Sequence, residues 1–260
     1  MSITPPELLL KKGLSELSIA YDQKQVSAFM TYLNELKKWN RAYNLTSLKT
    51  DKDIVIKHFL DSLLYIKALP EGEVSVLDVG SGAGFPVVPL KIMRPEIAVY
   101  LLEPSRKKAT FLKHIITTLG LVNIDVIEQR VENIKDLNVD IAVTRALFDI
   151  TEFHRRVSPL VRQGGRLILS KGPKVREELR ATQGIPHELL TFTLPQTSIK
   201  RFIVVIKKET SKTPGSSGQN ARNLLHGTPT PSPLCVNAEC RLRKSGCSGF
   251  EGCPGFEAKA

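Results

Sequence analysis

Residues 74–84, VSVLDVGSGAG, constrain the fold of this chain more than any other segment. A short, nearly continuous apolar run is the mark of a parallel strand buried on both faces. The glycines that follow let the backbone turn tightly and approach a ligand without Cβ obstruction. Residues 87–93 then read as a helix and 98–102 as a second strand, which ends on Glu103. A carboxylate at that point can accept hydrogen bonds from a ribose diol. A glycine motif alone is weak; strand, loop, helix, second strand and terminal acid in this order are strong. The competing reading is a glycine turn that binds nothing.

The alternation continues. A helix over 105–119, a strand over 124–127, a strand over 140–144, a helix near 150–161 and a strand over 165–169 follow in turn. Two β-rich segments, near 189–194 and 202–206, are too close for a crossover helix and predict an antiparallel pair at the sheet edge. The expected class is therefore α/β: a doubly wound, Rossmann-like sheet of about seven strands with right-handed crossovers. Upstream, residues 5–69 read as helical. Val26, Phe29, Met30, Leu33 and Leu36 recur at three- and four-residue steps, and Val55, Phe59, Leu63 and Ile66 repeat the pattern after a polar break at 40–48. Pro70-Glu71-Gly72 closes this region. The expected organisation is an N-terminal helical region over 1–72, the sheet domain over 73–208 and a tail over 209–260.

Composition sharpens the last boundary. The tail holds all four cysteines and 7 of the 17 glycines of the 260-residue chain, with no 2- or 3.6-residue apolar period, so it reads as disordered. Its cysteines, Cys235, Cys240, Cys247 and Cys253, lack the tight C-x2-C pair of zinc knuckles, and no metal is expected. Of the formal charge of +11, residues 1–208 carry +9. No stretch approaches the roughly 18 apolar residues of a spanning helix, and the apolar run in MSITPPELLLKK is too short for a secretory signal. A cytoplasmic protein with no membrane partner is expected.

The ligand of the glycine loop is read from its spacing. A dinucleotide fingerprint, G-x-G-x-x-G, aligned on Gly80 and Gly82 requires glycine where this chain has Phe85. The G-x-G-x-G pattern after the acidic strand end at Asp78 instead resembles motif I of class I methyltransferases. That resemblance implies S-adenosyl-L-methionine as cofactor, Gly80, Gly82 and Gly84 around its methionine part, and Asp78 supporting the loop or the amino group. The acceptor is narrowed by chemistry. Carbon-5 methylation of pyrimidines needs a cysteine nucleophile, and none precedes residue 235. The [Asn/Asp]-Pro-Pro-aromatic motif used on exocyclic base amines is missing after the fourth strand, where Val143-Thr144-Arg145-Ala146-Leu147 stands. A ring nitrogen with a free lone pair needs no general base, and proximity is then the main catalytic term.

The segments 39–46 (WNRAYNLT), 58–62 (HFLDS) and 78–86 (DVGSGAGFP), followed by Val131-Glu132, Thr144-Arg145-Ala146 and Lys171-Gly172, together resemble the RsmG family, also called glucose-inhibited division protein B. The resemblance spans roughly residues 8–208. It implies methylation of N7 of a guanine in bacterial 16S ribosomal RNA. Carried onto matching positions, it implies cofactor contacts at Gly80, Phe85, Val131, Glu132 and Arg145, with Glu103 at the ribose and Phe85 beside the adenine. Two departures stand out: Val87, where the family commonly has glycine, and the tail.

Arg145, Lys171 and Asn44 are the candidates for positioning the substrate: Lys171 would meet RNA phosphate or the target guanine, while a surface ion pair is the plainer reading of Arg145 and a turn residue that of Asn44. His58 and Asp61, one helical turn apart, read as structural ties between cap and sheet. Clusters such as Lys37-Lys38, Arg41 and Arg106-Lys107-Lys108, with the +9 surplus, suit a phosphate-rich partner. That partner is expected to be 16S rRNA or the small ribosomal subunit, not DNA, with the chain acting as a monomer. A class I methyltransferase of a protein or small molecule, and a non-catalytic ribosome-assembly factor, are the alternatives.

Overall fold

The computed structural model describes residues 4–145, 147–182 and 184–209, so the tail with its four cysteines lies outside the described residues. Helices α1 (Pro6–Glu16) and α2 (Gln23–Tyr43) come first. A capping box starts α2: Asp22 accepts from the Gln25 amide at 2.7 Å, and the Gln25 side chain accepts from the Asp22 amide at 3.0 Å. The helix ends where Asn44 turns left-handed. A helical run then passes through α3 (Asp51–Ile54), a π-helical turn (Val55–Leu60), α4 (Asp61–Leu63) and a 3-10 turn (Leu64–Lys67). The expected helical region over 5–69 is thus broken at 17–22 and 44–50.

The strands are β1 (Ser75–Val79), β2 (Ala98–Leu102), β3 (Ile124–Ile127), β4 (Val139–Arg145), β5 (Val161–Lys171), β6 (Glu188–Thr193) and β7 (Lys200–Lys207). They form one sheet in the order β3-β2-β1-β4-β5-β7-β6. The first five are parallel, and β7 runs antiparallel to both β5 and β6. Helices α5 (Val87–Met93), α6 (Arg106–Thr118) and α7 (Ile150–Val157) lie in the connections, and α8 (Val175–Ala181) precedes the edge pair. The sequence reading missed α8, a single amphipathic stretch of seven residues with no capping side chain.

Alternate residues of the central strands feed two cores. Val76, Val143, Ile168 and Ile203 face the N-terminal helices, and Leu77, Ala142, Leu167 and Val204 pack on the other side with Phe153 of α7. Burial on both faces explains why these strands read as unbroken apolar runs. The N-terminal helices share their core with the sheet. Tyr65, fully buried, donates from its hydroxyl to the Thr144 carbonyl at 2.6 Å and accepts from the Ser170 amide at 2.9 Å. Tyr32 donates to the Ala83 carbonyl in the glycine loop. Val87 is wholly buried in the same core.

Candidate active site

The sheet order reverses between β1 and β4: the chain moves outward through β2 and β3, then returns to the other side of β1. A crevice outside the carboxyl ends of the strands is the expected ligand position at such a switch.

Gly80, Gly82 and Gly84 all have positive φ, at 78°, 60° and 96°. The Gly80 and Ser81 amides donate to the Leu102 carbonyl at 2.9 and 3.1 Å, fastening the loop to β2. Their neighbours explain why two of these glycines differ. A Cβ on Gly84 would lie 2.6 Å from the Tyr32 hydroxyl and 2.7 Å from a Val88 methyl, so this glycine makes room for the helical cap. A Cβ on Gly82 would meet nothing nearer than the Gly80 carbonyl at 3.9 Å, so there the backbone faces open space.

Glu103 lies at the end of β2 and is almost completely buried. One carboxylate oxygen accepts from the Gly82 amide at 2.8 Å, the other from the Ser105 amide at 2.9 Å. It therefore braces the glycine loop. Each oxygen still has a lone-pair direction for a further donor. Asp78 is different. It is fully buried, and among the described residues neither carboxylate oxygen has a hydrogen-bond partner. Burial pushes its carboxyl up to about 7, against the pull of the nearby Ser81 hydroxyl, the Arg145 charge and the Val87 amide, none of which reaches either oxygen in hydrogen-bonding geometry. A buried, unpartnered carboxyl is costly, and it points to a donor supplied from outside the chain.

Beside the loop, a cleft of about 280 Å³ is lined by Gly80, Leu102, Val131, Glu132, Phe148 and Arg156, among others. Val131 and Glu132 reach it from a 3-10 turn after β3. Arg156 of α7 pairs with Glu132 across the cleft and with Glu152 at 2.7 Å, and its guanidinium stands 5.8 Å above the Phe148 ring. Neither Phe148 nor Arg156 stands out in the sequence by itself. The available signal was the i, i+4 spacing of Glu152 and Arg156 on one helix, which is common on any solvated face.

Of the expected cofactor contacts, Gly80, Val131 and Glu132 line this cleft, whereas Asp78, Gly82, Gly84, Phe85, Glu103 and Arg145 do not. Phe85 is 5% exposed and stacks on His58 at 4.3 Å between ring centroids and on Tyr32 at 5.3 Å. Arg145, at the end of β4, lies over the Phe85 ring with 5.2 Å to the centroid. It donates to the Lys57 carbonyl at 3.3 Å and faces Nδ1 of His58 at 2.9 Å and Asp61 at 3.7 Å. Arg201 of β7 donates to the other Asp61 oxygen at 2.8 Å. Burial raises the Asp61 carboxyl while Arg201 and Arg145 oppose the rise. Burial and the Arg145 charge together drive His58 down to about 3. Since arginine can only donate, His58 Nδ1 is the acceptor, and its Nε2 carries the proton toward the Thr46 hydroxyl at 2.7 Å.

Lys171, which follows the fifth strand, turns inward. Its ammonium donates to the Phe148 carbonyl at 2.5 Å and to Glu178 at 2.7 Å, and the same Glu178 oxygen accepts from the Ile150 amide at 2.6 Å. Lys171 thus clamps the segment after β4. Asn44, with φ of 50°, lies at the end of α2 on the rim of a second cleft. The described residues hold no group of three or more His, Cys, Asp or Glu suited to a metal ion.

The donor set fits S-adenosyl-L-methionine. The unpartnered Asp78 suits a cationic amino group, the free lone pairs of Glu103 suit ribose hydroxyls, and the Val131–Phe148 cleft suits a flat base.

A family profile described as rRNA small subunit methyltransferase G matches residues 25–199. A protein of Acetivibrio thermocellus named ribosomal RNA small subunit methyltransferase G is 34% identical, over 84% of this chain and 96% of its own length. Proteins of the same name from Geotalea uraniireducens and Pelotomaculum thermopropionicum are 37% and 38% identical, over 77% and 76% of this chain and 95% and 89% of theirs. Among solved structures, a methyltransferase from Pyrococcus furiosus superposes with a TM-score of 0.52 at 12% identity, over 70% of this chain and 99% of that one. At that identity the likeness concerns the fold alone.

Proposed function

Because the chain belongs to the rRNA small subunit methyltransferase G family, we propose that it transfers a methyl group to N7 of a guanine in 16S ribosomal RNA. The observation that carries this reading beyond the family name is Asp78: a buried carboxyl without a partner, beneath a glycine loop, at the switch point of the sheet. S-adenosyl-L-methionine supplies, when bound, an electrophilic methyl on a sulfonium.

The residues of this chain do the holding. Asp78 would take the amino group, Gly80, Gly82 and Gly84 the methionine part along the loop, and Glu103 the ribose. Val131 and Glu132 would border the adenine, with Phe148 opposite. Arg145 and Phe85 act from the cap side: their stack with His58 forms the wall behind the end of β4, and Arg145 orients the acceptor. Lys171 contributes by fixing the segment that carries Phe148, and Asn44 by shaping the substrate rim. N7 of guanine has its own lone pair, so no residue must remove a proton before transfer. His58, pushed down to about 3 by burial and the Arg145 charge and with Nδ1 already accepting from Arg145, is too weak a base to take part and fits this absence of base chemistry. Alignment of acceptor and methyl is the main contribution required of the protein.

An acceptor in small-subunit ribosomal RNA supports a cytoplasmic site of action. No helix among the described residues is long and apolar enough to cross a membrane. A monomer suffices, since this chain's own helices cover both faces of its sheet. The names of the relatives do not favour a protein or small-molecule acceptor, and the intact loop speaks against a non-catalytic assembly factor.

The test is methyl transfer to purified small subunits that lack the modification, with the product nucleotide mapped. N7-methylguanine at one position is expected. Its absence above a heat-killed control would overturn the assignment.

A further inference from the structure

The larger of the two clefts near the site lies away from the glycine loop, at the carboxyl end of α2. It measures about 440 Å³ and is lined by Lys37, Asn40, Arg41, Asn44, Thr46 and Lys49, with Leu48 the one apolar residue. No carboxylate is among these residues. Lys37 is paired with Asp51, whereas Arg41 and Lys49 make no ion pair among the described residues. Two unpaired cations in one cleft, Arg41 from α2 and Lys49 from the segment after it, favour an anionic ligand, and the volume is that of an ordinary ligand site, about 300–1,000 Å³.

The cleft is built, and it is joined to the site. The Asn40 side chain accepts from the Thr46 amide at 2.8 Å, which holds the 44–49 segment against α2. The Thr46 hydroxyl meets His58 Nε2 at 2.7 Å, and His58 Nδ1 meets Arg145 at 2.9 Å. Three side chains therefore connect the floor of the cationic cleft to the end of β4, where the acceptor must be presented. The surplus of +9 on residues 1–208 gains a local address here.

We propose that this cleft grips the sugar-phosphate backbone of the RNA strand beside the target nucleotide, with Arg41 and Lys49 on phosphate and Asn40 and Asn44 on ribose or phosphate oxygens. The proposal rests on the rRNA reading above, and it adds which surface holds the strand. Phosphate contacts fix register without reading sequence. The Thr46–His58–Arg145 chain then sets the distance between the gripped backbone and the reacting base.

The full-length protein and the double variant Arg41→Glu/Lys49→Glu test it, with Arg41→Lys/Lys49→Arg as the charge-keeping control. Binding of a short single-stranded RNA is measured against salt concentration, alongside methylation kinetics on unmodified small subunits. Loss of two contacts should lower the slope of log K against log[salt] by about 1.4 and raise KM about tenfold, with cofactor affinity and melting temperature unchanged. The charge-keeping control should behave as the parent. An unchanged salt slope in the Glu variant overturns the cleft assignment, whether or not the parent methylates subunits. A parent that binds RNA through the cleft but methylates no subunit overturns the proposed function instead. Equal competition by polyglutamate would show a site for acidic polypeptide and also overturn the RNA assignment.

Discussion

Nη2 of Arg145 stands 2.9 Å from Nδ1 of His58, so the carboxyl end of β4 is held by a residue of the N-terminal helices. The contact decides the chemistry of both partners. An arginine cannot accept, so the imidazole must stay neutral at that nitrogen. A neutral imidazole can in turn lie flat on Phe85 while Arg145 covers the same ring.

His58 should lower stability in acid. Its native pKa is pushed down to about 3, below the ordinary value of 6.5, so the unfolded chain binds the extra proton between those limits. Stability from this residue is complete above pH 6.5 and falls as pH drops toward 3, by about 1.4 kcal/mol per pH unit at most. Denaturant midpoints for the parent and His58→Gln, taken from pH 8 to pH 4, should converge in acid. Parallel curves would mean that His58 titrates freely in the native protein.

Asp78 should behave in the opposite sense. Its native pKa of about 7 lies above the ordinary 3.8, so the native state binds more protons between these values and loses stability as pH rises through 7. Asp78→Asn removes a buried charge and should be at least as stable as the parent at pH 8, yet bind S-adenosyl-L-methionine at least about tenfold more weakly for want of a charge-assisted bond. Below pH 7, cofactor binding to the parent should release close to one proton as the carboxyl ionises. Calorimetry in buffers of different ionisation enthalpy reads that release, and Asp78→Asn should lack it.

Two glycines of one loop should respond differently to alanine. Gly84→Ala forces a Cβ against Tyr32 and Val88 and should cost about 3 kcal/mol or more, from left-handed strain plus overpacking. Gly82→Ala meets open space and should cost about 1–2 kcal/mol of stability. Its larger effect should fall on cofactor affinity, since the new methyl faces the ligand side. Thermal melts and cofactor titrations separate the two. Equal melting temperatures for both variants would contradict the assignment.

Tyr65→Phe removes one oxygen that serves two buried backbone groups, the Thr144 carbonyl and the Ser170 amide. Each group left unpaired costs about 1–3 kcal/mol, so a total loss of about 2–6 kcal/mol is expected by denaturant unfolding. Because both groups flank the acceptor side, the rate of methyl transfer should fall while cofactor affinity holds. A stability change below about 0.5 kcal/mol would show that water replaces the hydroxyl, as surface changes of that size carry no named defect.

What the amino-acid order determined by itself is everything that repeats locally. The apolar run before Gly80, the helical steps of Val26 to Leu36 and the acid at the end of β2 are short-range patterns, and the strands, their parallel class and the loop were legible from them. The antiparallel edge pair was legible too, from a connection too short for a helix. Tertiary structure decided which side chains meet. Phe85 reads in sequence as a neighbour of the glycine loop and a border of the adenine, but in the fold it joins Tyr32, His58 and Arg145. Glu103 reads as a ribose ligand and also braces Gly82. Lys171 reads as a contact to RNA phosphate or the target guanine, and in the fold it turns inward onto Phe148 and Glu178. Periodicity reports which face of an element is buried. It carries no information about partners such as His58 and Arg145, 87 residues apart, whose contact exists only once the cap has closed on the sheet.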